Sequence, residues 1–261
     1  MARPVASQCL PAIVLLVLSI SSCSTPPVAG TSVVVLVDFS RSFAPLGKAD
    51  ERALNAATAA LAELASRSWP PVRFYWSRIE TQSVLSERLC KPMRVDPKLI
   101  RSGEDLDKAG LRAKLARCSE SIVKASAEAA QQSQYTDISG ALALADEQTR
   151  NETRERIFVV FSDFLEDLPP GAKRTKYRLN GVRVLLLHRP GLDLAGLTPE
   201  GYLVRIARWR EELREKGAKE VVAMPIFAAT EYRISQGLAP GAKPTGTAVS
   251  VVVDTLYSSA Q

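Results

Sequence analysis

Residues 32–42, Ser32-Val33-Val34-Val35-Leu36-Val37-Asp38-Phe39-Ser40-Arg41-Ser42, decide how this chain folds. The run Val33 to Val37 is continuous and rich in β-branched residues, the pattern of a central strand in a parallel sheet covered by helices on both faces. It ends at Asp38, and hydroxyls follow at Ser40 and Ser42. Open α/β sheets build their sites at the carboxyl ends of strands. One carboxylate with two hydroxyls offers only oxygen donors, which suits a hard divalent cation such as Mg²⁺ better than zinc or copper. The same residue types also form turns and cap helices, so the pentapeptide alone leaves both readings open.

Working outward, Ala49 to Ser68 has helical spacing and is stopped by Trp69-Pro70-Pro71. Val72 to Ile79 reads as a second strand, residues 80–103 are irregular, and Glu104 to Gln132 is a long charged helix. Tyr135-Thr136-Asp137 opens a helix that runs to about Arg150, and Ile157 to Phe161 is another apolar strand, ending in Ser162-Asp163. Leu165 to Arg178 is a loop with Pro169-Pro170-Gly171 and four basic residues, a specificity surface beside the proposed ion. Gly181 to Leu187 then reads as a strand, Pro199 to Lys216 as a helix and Val221 to Phe227 as a strand. The alternation predicts a doubly wound, mainly parallel α/β sheet with helices on both faces, a Rossmann-like arrangement.

The order strand-Asp38-x-Ser40-x-Ser42, Thr136 at a helix start, then strand-Ser162-Asp163 resembles the von Willebrand factor A domain, the integrin I-domain fold with its metal-ion-dependent adhesion site. The resemblance implies that Ser40, Ser42 and Thr136 supply direct hydroxyl ligands to Mg²⁺ or Mn²⁺, while Asp38 and Asp163 hold the ion largely through water. It also implies an open coordination position, completed by an Asp or Glu of a partner protein, and hence recognition rather than catalysis. Residues 31–230 carry the resemblance. Two positions depart from it: Phe164 stands where many members have Gly after the last Asp, and no Gly precedes Thr136.

The amino terminus has Arg3 followed by the apolar stretch Leu10 to Ile20, the length and charge order of a secretory signal rather than a membrane span. Ile20-Ser21-Ser22-Cys23 resembles a bacterial lipobox, which implies a signal peptide over residues 1–22, acylation of Cys23, and a tether over residues 23–30. The several acyl chains of such a lipoprotein would hold it durably on a membrane. Ser24 after the cysteine leans toward the periplasmic leaflet of the outer membrane, should the cell be Gram-negative. With Cys9 in the signal and Cys23 acylated, Cys90 and Cys118 remain as an even pair in an oxidising compartment and are expected to form a disulfide. Residues 231–261 read as a Gly- and Pro-rich linker followed by a terminal strand, Ala248 to Leu256, packed on the same domain or offered to a partner.

The chain is 46% hydrophobic and 24% charged, ordinary values for a globular protein. Its net charge of +6 is spread among acidic residues without an aromatic-basic motif, which argues against nucleic acid. Lys173, Arg174, Lys176 and Arg178 form the one local basic cluster. Rival readings use the same residues. Asp38 as nucleophile with a later Thr and Asp resembles the haloacid dehalogenase phosphotransferases, but Ser40 stands where that family expects a general acid. A serine hydrolase built on Ser40 and His188 lacks G-x-S-x-G and an orienting acid. A third reading keeps the fold without an ion, as a structural envelope lipoprotein.

Overall fold

A computed structural model describes residues 30–67, 72–83, 89–95, 104–129, 133–151, 155–190 and 198–239. The expected signal, the acylated Cys23 and the terminal strand 248–256 lie outside the described residues. Six strands, β1 (Thr31–Asp38), β2 (Val72–Ile79), β3 (Met93–Val95), β4 (Glu155–Ser162), β5 (Val182–His188) and β6 (Glu220–Pro225), form one sheet in the order β3-β2-β1-β4-β5-β6. All neighbours pair in parallel except the short edge strand β3, which runs antiparallel to β2. The fold is thus the doubly wound α/β sheet expected from the alternating pattern.

Every residue of β1 is buried, because Val33, Val35 and Val37 face one core while Val34 and Leu36 face the other. The first face is covered by α1 (Lys48–Arg67), α2 (Glu104–Ala129) and α5 (Glu231–Leu238), and α1 packs directly on α2. The second is covered by α3 (Ile138–Thr149) and α4 (Pro199–Glu215). Helix starts follow capping chemistry. Asp137 caps α3 by accepting the Gly140 N–H, Thr198 caps α4 ahead of Pro199, and Thr230 caps α5. The crossover from β4 to β5 holds no helix: residues 163–181 run across the second face as an extended segment, sealed by buried Phe164, Tyr177 and Leu179.

Cys90 and Cys118 form a disulfide, Cα to Cα 6.1 Å, tying the irregular segment before β3 to α2. Three boundaries differ from the sequence reading. The last strand stops at Pro225, and Ile226–Ala228 is a 3₁₀ turn, since the proline ends the ladder. Residues 231–238, read as linker, form α5, whose Ile234 and Leu238 are buried in the first core. Thr136, read as a helix start, lies two residues before α3, and Asp137 takes the cap.

Candidate functional site

Strand order reverses between β1 and β4, because the chain proceeds from β1 outward to β2 and β3, then returns to the other side of β1. That switch point leaves a crevice beyond the carboxyl ends of β1 and β4, where α/β sheets bind ligands. Asp38 ends β1 and Asp163 follows β4, so the topology delivers both carboxylates to this crevice.

Each aspartate begins the same kind of turn. Asp38 Oδ1 accepts the Ser40 N–H at 2.8 Å, and Asp163 Oδ1 accepts the Leu165 N–H at 2.9 Å. Ser162, at the last position of β4, joins the two: its hydroxyl donates to Asp38 Oδ2 at 2.6 Å and accepts the Phe164 N–H at 2.9 Å. The Ser40 and Ser42 hydroxyls lie 3.2 Å apart. Asp163 Oδ2 is buried and has no hydrogen-bond partner. A buried carboxylate oxygen left without a donor is costly, so it marks a place where something else is needed.

The electrostatics agree. Burial first, and the Asp163 carboxylate second, push Asp38 from 3.8 up to about 7. Burial also raises Asp163; the Leu165 N–H, the nearby Ser42 hydroxyl and the guanidiniums of Arg205 and Arg189 counter part of that rise. The Ser42 hydroxyl is close enough to lower Asp163, but Oδ2 has no donor at full hydrogen-bonding geometry. Two carboxyls held close in a buried crevice repel one another when ionised, and a cation between them would remove that repulsion.

Thr136 reaches the crevice through its backbone. Its N–H donates to the Asp167 carbonyl at 2.7 Å and its carbonyl accepts the Asp167 N–H at 3.1 Å, which splices its loop to the segment after Asp163. The Arg41 N–H donates to the Ser133 carbonyl at 2.9 Å, joining the same loop to the first one. Glu166 then accepts the Ser139 N–H at 2.7 Å and pairs with Arg174, which also bridges to Glu212 on α4 and lies over the Trp209 ring. The structure therefore brings Asp38, Ser40, Ser42 and Asp163 into one cluster and ties the Thr136 loop to it on two sides.

Several contributors carry no sequence signal of their own. Ser162 reads as the end of an apolar strand. Arg189 donates to Asp50 Oδ1 at 2.7 Å and to the Phe43 carbonyl, locking the first loop from 146 residues away in sequence. Phe164 adopts a left-handed φ of 58°, the conformation that favours glycine. The cost is offset by its buried ring against Trp209, whose indole N–H donates to the Phe164 carbonyl at 2.9 Å. His188, read as a loop residue, is the buried last residue of β5, 2.6 Å from the Tyr202 hydroxyl, and burial lowers it to about 4. Arg174, counted in the basic cluster of the loop, is consumed by Glu166 and Glu212.

Among the described residues, no group of three or more His, Cys, Asp or Glu gathers as a metal cluster; the donor set here is two carboxylates with hydroxyls. That oxygen-only set fits a hard divalent ion, and the unpartnered Asp163 Oδ2 gives it a reason to bind.

No family model matches the chain, and no curated protein matches it. Solved structures do resemble it. An aerotolerance-related membrane protein from Bacteroides fragilis is 14% identical over 80% of this chain and 98% of that one, TM-score 0.42. A von Willebrand factor type A protein from Catenulispora acidiphila is 9% identical over 80% of this chain and 43% of that one, TM-score 0.43. The manganese-loaded TRAP protein of Plasmodium vivax is 13% identical over 83% of this chain and 65% of that one, TM-score 0.34. None of these likenesses carries a functional conclusion to this chain.

Proposed function

We propose that this chain is a divalent-cation-dependent protein-binding module, in which Ser40, Ser42, Thr136, Asp38 and Asp163 hold Mg²⁺ or Mn²⁺ and a partner's Asp or Glu completes the site. The observation that carries the reading is the buried, unpartnered Asp163 Oδ2 beside a second carboxyl whose charge is suppressed by the same burial. When bound, the ion supplies a positive centre able to take a carboxylate from outside. The chain's own residues fix the three loops around it through the Ser162–Asp38, Thr136–Asp167 and Arg41–Ser133 bonds.

Nucleophilic chemistry at Asp38 is the weaker reading, because the carboxyl is fully buried and both its oxygens already accept hydrogen bonds from Ser40 and Ser162. Those same bonds are what a metal-free scaffold would use, so metal dependence separates the two. The tether and Cys23 belong to this proposal as well: they would place the module on the periplasmic face of an envelope membrane. The described chain enters at Gly30, at the end of the sheet opposite Asp38, so the site would face away from that membrane.

The test is titration of the chain from Ser24 onward with Mn²⁺, followed by the electron paramagnetic resonance of the free ion, beside an Asp38→Ala variant. Saturable binding that disappears in the variant is expected. Equal binding by both proteins, or none by either, would sink the proposal.

A further inference from the structure

The four large apolar side chains left exposed among the described residues are Leu165, Val204, Phe227 and Tyr232, at 37, 48, 52 and 70%. Exposed apolar residues scattered singly need no explanation. Three of these share one end of the sheet. Leu165 lies two residues beyond Asp163, and Val204 is in the second turn of α4, which begins after the carboxyl end of β5. Phe227 is in the 3₁₀ turn that follows β6, and Tyr232 is in the first turn of α5 just after it. Leu165, Val204 and Phe227 therefore belong to the end of the sheet that holds Asp38 and Asp163; Tyr232 instead turns along α5, where its hydroxyl accepts from Gln236 Nε2 at 2.7 Å and it lines a groove with Leu64 of α1. The described chain enters and leaves at the other end. There, the Glu155 N–H donates to the Gly30 carbonyl, and the Glu155 carboxylate pairs with Arg183, which donates to the Leu238 carbonyl.

Two cations share the rim. Arg41, between Ser40 and Ser42, is exposed, and no described carboxylate pairs with it. Arg205 is half-buried on the face of α4 between Tyr202, whose hydroxyl meets His188, and Trp209, whose indole meets the Phe164 carbonyl. It too makes no ion pair among the described residues, although its charge reaches Asp163, whereas Arg189 is committed to Asp50 and Arg174 to Glu166 and Glu212. Apolar and aromatic anchors with arginines outside any ion pair are the composition of interface centres, and arginine reads carboxylates in two-point fashion.

We infer that this rim docks a protein segment that sets a metal-binding acid between apolar side chains, with Arg41 and Arg205 receiving a second acidic group. The inference rests on the cation reading for its centre; Arg41, Val204 and Phe227 are separable from the ligands, while Arg205 also acts on Asp163 through its charge.

The probes are two end-blocked peptides, Phe-Asp-Leu-Glu and Ser-Asp-Ser-Ser, titrated by calorimetry into the chain from Ser24 onward, which keeps both cores and the disulfide, at saturating Mn²⁺. Phe-Asp-Leu-Glu should bind about tenfold tighter or better, an advantage cut about fivefold or more in both Arg41→Gln/Arg205→Gln and Val204→Ser/Phe227→Ser. These positions are exposed or half-buried, and Mn²⁺ affinity is measured alongside so that each variant is compared at its own saturation, since Arg205→Gln also removes a charge that acts on Asp163. Equal affinity for the two peptides, no binding of either, or unchanged affinity in both double variants overturns the rim. If instead the discrimination persists in chelator, or in Asp38→Ala, the rim stands and the cation reading falls.

Discussion

Replacing Asp38 by Asn should make the metal-free domain more stable while destroying its site. The Asp38 carboxyl is fully buried, faces the Asp163 carboxylate, and is pushed from 3.8 to about 7. A raised carboxyl means that the folded state binds a proton the unfolded chain has released. The stability it contributes is therefore present below the unfolded value of 3.8 and is lost as pH rises through about 7. The rise corresponds to about 4 kcal/mol of stability lost between those limits. Asn has no charge to desolvate, its oxygen can still accept the Ser40 N–H, and its amide can donate to the Ser162 hydroxyl. His188 titrates in the opposite sense, since burial lowers it to about 4 and its neutral form favours the folded state as pH rises. Subtracting the variant's curve from the wild type's cancels that contribution. Urea unfolding in chelator at about pH 5 and about pH 8 should show the variant gaining on the wild type by roughly 2 to 3 kcal/mol between the two conditions, since about a unit of the titration range lies below pH 5. A variant less stable than wild type at the higher pH, without metal, would refute the reasoning.

At Phe164 the usual order of truncation should invert. Removing the buried ring costs about 3–5 kcal/mol in either case, but Gly relieves the left-handed backbone, so Phe164→Gly should unfold about 1 kcal/mol later than Phe164→Ala in urea. Equal midpoints would show that the φ of 58° carries no strain. Gly140→Ala should cost about 1–2 kcal/mol, because a Cβ there would lie 1.9 Å from Oδ2 of Asp137, whose Oδ1 caps α3, forcing the cap to break. Thermal unfolding reads it, and a neutral result would mean the cap shifts freely. Reducing Cys90–Cys118, separated by 28 residues, should lower stability by about 3 kcal/mol, checked by urea unfolding with and without reductant.

How much of this was legible beforehand follows from where the information lies. A buried parallel strand writes its burial into contiguous residues, so β1, β2 and β4 could be placed from Val33–Val37, Val72–Ile79 and Ile157–Phe161, and their parallel pairing from the alternation with helices. Asp38, Ser40, Ser42 and Asp163 were legible because each sits at the visible end of such a run. Ser162 was not, because a serine at the end of an apolar strand looks the same whether it bridges two loops or faces solvent. Arg189, Glu166 and Arg174 act across long separations, and nothing local distinguishes an arginine that locks a loop from one that is solvated. The α5 helix was read as linker because its Gly237 and the following Pro and Gly residues dominate the pattern, whereas its helix is held by Ile234 and Leu238 against the first core. Packing that close to a glycine, with Leu185 3.3 Å from where its Cβ would be, is a tertiary fact.

The most direct test of the account is whether an ion displaces protons from this crevice. Mn²⁺ binding to the chain from Ser24 onward, measured calorimetrically in two buffers of different ionisation enthalpy, should release on the order of one proton per ion at about pH 6, where burial keeps Asp38 largely protonated, and far less above about pH 8. Asp38→Asn should show neither the binding nor the release. Binding that releases no proton at the lower pH, or that persists in the variant, would place the ion elsewhere and contradict the claim that Asp38 and Asp163 hold it.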